Sequence, residues 1–282
     1  MKILLSIIVY CSFITTQAKI IEVYDTQLEK SIDFEYLIQK LPAQGFLILG
    51  EYHNFDEIQL AQSQVIKEKV AYEMARSNFR VFWEFLNYTD AKKTKDEYTK
   101  FRNGTSTAFE FLINTAGEQN IHYAPIIETV KNFNGKITGI NLPRVLKQKV
   151  ISDGIGSIDP KYVPINHYAG GPDYLERFEA IMGGNVPAEK IAAYFEAQCL
   201  TDSVMAEQIY QHSNKDLNFV IAGSFHTDFN DATTIRLKNL THRPVVTFKF
   251  VTLNLETQAE IDNYKESQLS YGHYADYIIV TK

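Results

Sequence analysis

The sequence predicts an α/β protein: a central, mostly parallel (mixed) sheet with helices on both faces, plus an irregular loop-rich insertion. Three observations carry that expectation. Residues 45–50, 80–85, 136–141 and 218–223 are near-continuous apolar runs, as strands covered on both faces should be. Helical patterns lie between them, and strand–helix alternation is the signature of a largely parallel sheet. Two of the runs also end alike, in Gly50-Glu51-Tyr52-His53 and Gly223-Ser224-Phe225-His226. A buried strand that stops at a glycine and presents a histidine is how an open sheet builds a site at its carboxyl edge.

The elements follow in order along the 282 residues. Lys2, an apolar run over 3–14 and the small residues of Thr16-Gln17-Ala18 read as a secretory signal peptide cut after Ala18. Export to the periplasm or outside the cell is therefore expected, with 19–282 as one α/β domain. Cys11 follows Tyr10, which is too large for a typical lipoprotein site, so membrane association is expected only if Cys11 is lipidated. Past the signal, Cys199 stands alone, which excludes an internal disulfide and a cysteine zinc cluster. A net charge of −6 argues against nucleic acid as a partner.

After the first strand, residues 55–75 carry Ile58, Ala61, Val65, Tyr72 and Ala75 near helical spacing. Pro125 opens a helix to about 133, and Pro187 opens a long one to about 211. Residues 227–240 read as a helix. Strands at 245–253 and 276–281 follow with little helix between them, which predicts an antiparallel edge. The stretch 152–184 is punctuated by glycines and prolines, from Gly154 to Gly184, and reads as an irregular insertion over the sheet edge.

Five polar residues stand at the ends of four strands: Glu51, His53, Glu84, Asn141 and His226. Glu51 and His53, two apart on extended chain, point the same way. Glu84 within an apolar strand is costly to bury unless paired. Arg144 follows Asn141 closely enough to be that partner. Gln198, Asp202 and Met205 lie at steps of four and three on one helix face. In the insertion, His167 and Tyr168 are adjacent, and both types ligate haem iron. Any haem is non-covalent, because no Cys-x-x-Cys-His motif is present.

The blocks 49–54, 83–84, 139–144, 197–206 and 222–226 together resemble the ChaN-like haem-binding family of exported bacterial proteins, within the Tiki, TraB and erythromycin esterase-like superfamily. The stretch from Ala197-Gln198 through Asp202 to Met205-Ala206 is the most specific of them. The resemblance implies an α/β fold, export, and haem binding linked to iron acquisition, with haem held between two subunits of a homodimer by tyrosine and histidine. It places Asn141, Arg144, Gln198, Asp202 and Met205 among the binding residues. The competing expectation is a hydrolase. Glu51, His53, Glu84 and His226 would activate water. Alternatively, Glu51, His53 and His226 would hold a divalent metal with one position open.

Overall fold

The structure is a computed structural model that describes residues 19–74, 78–213, 215 and 217–282. The signal-peptide reading and Cys11 lie outside the described residues. Among the described residues eight strands form one sheet: β1 (Ile20–Asp25), β2 (Lys30–Ser31), β3 (Gly45–Glu51), β4 (Arg80–Asn87), β5 (Lys136–Asn141), β6 (Leu217–Gly223), β7 (Val245–Thr252) and β8 (Tyr277–Thr281). Their order is β2-β1-β8-β7-β3-β6-β4-β5. The strands from β8 to β5 run parallel, and β1 is antiparallel to both β8 and β2.

The register explains why the two glycine–histidine motifs matter together. β3 and β6 are neighbours, with Gly50 opposite Ala222 and Glu51 opposite Gly223. Both strands are buried along their whole length, so a one-residue slip would turn every side chain to the wrong face. β4 flanks β6 on the other side, with Trp83 opposite Ile221. Glu84 therefore arrives at the same edge.

Side chains alternate across the sheet. Leu47, Leu49, Val81, Trp83, Phe219 and Ile221 pack into one core with α2 (Asp56–Tyr72) and α5 (Ala124–Asn132), which pack against each other. Phe46, Ile48, Phe82 and Val220 face the other way, toward α8 (Ile191–His212) and α10 (Ala232–Leu240). The remaining helices are α1 (Phe34–Lys40), α3 (Ala91–Arg102), α4 (Ala108–Thr115), α6 (Arg144–Asp153), α7 (Pro172–Met182), the single-turn α9 (Ser224–Thr227) and α11 (Gln258–Lys265). Among the described residues, no helix is long and apolar enough to cross a membrane.

Three expectations need correction. β7 and β8 are parallel, because α11 carries the chain back between them. Its start is marked by a capping box, Thr257 with Glu260, and the antiparallel edge comes instead from β1. The helix expected over 227–240 is interrupted: Phe229 and Asn230 adopt left-handed backbone, and the Asp231 side chain caps α10. The insertion at 152–184 is not wholly irregular, since α7 lies within it, opened by Pro172.

Candidate functional site at the carboxyl edge

The two motifs interlock through their glycines. A Cβ on Gly223 would sit 2.8 Å from Cε1 and Nε2 of the His53 ring, and one on Gly50 would collide with the Thr227 hydroxyl. Each glycine thus makes room for a side chain brought by the other motif, a demand for absent side chain rather than for unusual φ.

From that junction two polar groups extend on opposite faces of the sheet. On the α2 face lies Glu51, buried at 1% exposure. Its Oε1 accepts from the Tyr123 phenol and from His53 Nδ1 at 3.0 Å, and its Oε2 accepts from Gln59 Nε2 at 3.1 Å. Three donors make this buried carboxylate affordable. His53 is the accessible member, packed edge-on against Phe85. Burial alone would lower its pKa; the hydrogen bond to Glu51 and the nearby charges of Glu84 and Glu51 raise it above the ordinary value.

On the α8 face, Glu84 Oε2 accepts from the Gly223 N–H at 2.7 Å, and Oε1 faces His226 Nε2 at 3.4 Å. His226 Nδ1 donates to Asp202 Oδ1 at 2.6 Å. Asp202 also accepts from Tyr174 at 2.6 Å and Thr233 at 2.8 Å, while Gln198 Nε2 lies 3.2 Å from both His226 Nδ1 and the Tyr174 hydroxyl. Burial would lower the His226 pKa, but Glu84 and Asp202 override it and push it up to about 10. Burial would raise the Glu84 carboxyl; the imidazoles of His226 and His53 and the Gly223 N–H hold it well below the usual carboxylate range. The arrangement is a buried imidazolium between two carboxylates.

Of the residues expected at the site, Glu51, His53, Glu84, Gln198, Asp202 and His226 are brought together. Asn141 ends β5 with its Oδ1 buried and without a hydrogen-bond partner. Arg144 is exposed at the start of α6 and does not pair with Glu84; Lys147, one turn on, is half-buried, and burial lowers its pKa against the opposing charges of Glu84 and Asp202. Met205 is wholly buried in the core beside Phe82 and Ile140, so it is packing. The metal reading also fails. Among the described residues no group of His, Cys, Asp and Glu is placed to hold a metal ion. The reason is geometric: Glu51 and His226 lie in separate hydrogen-bonded groups, and His226 has both ring nitrogens committed to carboxylates.

The two residues expected in the insertion part company. Tyr168 is partly exposed and lines a cleft of about 530 Å³ with Tyr174, Phe229, Ile235 and Tyr271. Arg236 donates to the Tyr168 carbonyl at 2.7 Å and lies 5.0 Å from its ring, which fixes that segment. His167 is not part of the cleft; its Nδ1 is bound to Ser203 Oγ at 3.0 Å. Sequence reasoning did not anticipate Tyr271 in this cleft, nor Tyr123 and Gln59 on Glu51. The aromatic density of Tyr271-Gly272-His273-Tyr274 was a signal for the first, while nothing local marks the other two.

A larger cavity, about 1000 Å³, lies beside the cluster, lined by Asp56, Leu60, Phe109, His122 and Pro125 among others. It contains none of the strand-end residues.

A family model described as haem-binding uptake, Tiki superfamily, ChaN matches residues 37–237. The chain belongs to this ChaN family. Among solved structures, ChaN of Campylobacter jejuni, described by its cofacial heme binding, is similar with a TM-score of 0.69. The match has 20% identity and covers 93% of this chain and 96% of that one, a likeness that shows the fold. An erythromycin esterase in its open conformation (TM-score 0.43, 14% identity, 92% and 83% covered) is more distant. So is a type III effector (TM-score 0.44, 12% identity, 83% and 86% covered). No curated protein matches.

Proposed function

We propose that this chain binds haem as an exported protein of haem or iron acquisition, with Tyr168 and Tyr271 as the iron-facing residues. The observation that carries the reading is the tyrosine-lined cleft in a member of a haem-binding family. Its residues fit the group. Phenols are established haem ligands. Phe229, Tyr174 and Ile235 give apolar contact for a porphyrin face, Asp173, Asn230, Asp231 and Asn239 make the rest of the lining polar, and the volume is normal for small-molecule sites. Tyr271 interacts with Glu176 of α7, and His273, two residues on, holds a buried Nδ1 without a hydrogen-bond partner. When bound, haem would supply the iron that this protein carries. The chain's own part is to seat the macrocycle and aim an oxygen donor.

A haem-linked homodimer, as the family resemblance implies, belongs to this reading. Hydrolysis is the weaker one. His226 has no free nitrogen to act as a base, which leaves His53 alone facing solvent.

Hemin titration of the purified chain tests the proposal. A saturable Soret band is expected, weakened or shifted by Tyr168→Phe or Tyr271→Phe, with dimer appearing in sedimentation as hemin is added. A wild-type protein that leaves the hemin spectrum unchanged would end this reading. Mass measurement of the protein recovered from the periplasm tests cleavage after Ala18.

A further inference from the structure

The face of β4 that ends in Glu84 begins with Arg80, and the helix above it, α8, ends in His212. Around these two residues lies a cavity of about 420 Å³, between the terminal strand β5, α3 and the end of α8. Its lining holds five cationic or cation-forming side chains, Arg80, Lys95, Arg102, Lys136 and His212, and no carboxylate. None of the five makes an ion pair among the described residues. We propose that this cavity binds a small molecule carrying a phosphate or carboxylate on a flat apolar body.

Three features support the site. Arg80 is half-buried and donates from one terminal nitrogen to Thr138 Oγ1, yet its Nε is buried with no hydrogen-bond partner. A guanidinium presents a planar fork of donors, and an unused buried N–H on it is matched by an oxyanion better than by any neutral group. Burial lowers the Arg80 pKa, and burial with the Arg80 charge lowers that of His212, so the guanidinium faces the cavity beside an imidazole held neutral, which would gain a proton when an anion enters. The terminal strand adds backbone donors: β5 has no neighbour on its outer side, and Lys136, Ile137, Thr138 and Gly139 line the cavity. Tyr98, Ile137 and Tyr88 form the apolar walls. The site stands apart from Glu51, His53 and the Tyr168 cleft, with which it shares no lining residue.

Isothermal titration of phenyl phosphate into the full chain should give saturable binding. Arg80→Gln should weaken it about 10- to 100-fold, as expected for losing a charge-assisted hydrogen bond. Should that variant not fold, His212→Gln and Arg102→Gln carry the same test, each weakening binding by a smaller factor. Benzoate and inorganic phosphate separate headgroup from body: a preference for benzoate assigns the carboxylate, and a preference for phenyl phosphate assigns the phosphate. Amide shifts at Thr138 and Gly139 on titration should locate the probe. No saturable heat with any probe overturns the proposal, as does equal affinity in wild type and all folded variants.

Discussion

Replacing His226 by Gln should open a stability gap that closes as pH rises. In the folded chain His226 sits between Asp202, 2.6 Å away, and Glu84, 3.4 Å away, and its pKa is pushed up to about 10 from an ordinary 6.5. That difference, at about 1.4 kcal/mol per pH unit, is about 5 kcal/mol when the unfolded imidazole is also protonated. At pH 7 the unfolded imidazole is already mostly neutral, so about 4 kcal/mol remains. The folded pKa lies above the unfolded one, so the contribution is complete below pH 6.5 and vanishes as pH passes 10. Urea unfolding of wild type and His226→Gln between pH 6 and 10.5 measures the gap, and the comparison cancels titrations common to both proteins, such as those of Lys249 and the tyrosines. The imidazole Cε1–H shift of His226 gives a direct reading and should move near pH 10. A gap independent of pH, or a shift that titrates near 6.5, would refute the charged-imidazole account.

Three further outcomes follow from neighbouring geometry. Glu84→Gln keeps the shape and an acceptor for the Gly223 N–H but removes one of the two carboxylates on the imidazolium, leaving Asp202. A loss of about 1 to 3 kcal/mol in urea unfolding at pH 7 is expected, and no loss would show that the Glu84 contact is not ionic. Gly223 has an ordinary φ of −59, so Gly223→Ala acts by sterics alone: its methyl displaces the His53 ring from Glu51, and the raised His53 pKa falls back toward 6.5 in an NMR titration. Glu29 adopts φ 50 in an exposed turn, and Glu29→Gly should raise stability by about 1 kcal/mol in the same unfolding assay.

The parallel core was legible because strands covered on both faces leave continuous apolar runs, and β3, β4, β5 and β6 do so within about two residues of their observed bounds. β1 was not legible, since its half-buried alternation is short and follows directly on another apolar run. The site residues on strand ends were legible for the same reason as the strands: a charged residue stands out at the end of an apolar run. Residues contributed from elsewhere were not. Tyr123 reaches Glu51 from 72 positions away, and the charges of Glu84 and Asp202 act on Lys147, on a helix whose polar residues all look alike in sequence. Met205 shows the reverse error. Its spacing with Gln198 and Asp202 put it on the same helix face, but Asp202 meets His226 and Tyr174 there while Met205, equally buried, packs among Phe82, Ile140 and Val220.

The two Gly-x-x-His motifs look equivalent in sequence, yet their histidines end in different electrostatic states. The cause is what the chain does after the glycine. Past Gly50 the chain stays irregular for several residues, and His53 folds back over the edge with one nitrogen on Glu51, the far side of the ring against Gly223 and Phe85, and about a third of the side chain open to solvent. Past Gly223 the chain turns at once into α9, which swings His226 under the sheet edge and against α8. There Asp202 and Glu84 together bring two negative charges to one imidazole, and burial strengthens their attraction. His226 is thereby committed as a fixed cation that ties β4, α8 and the end of β6 together. His53, with a single buried partner and an open face, keeps a group that can respond to whatever occupies the edge.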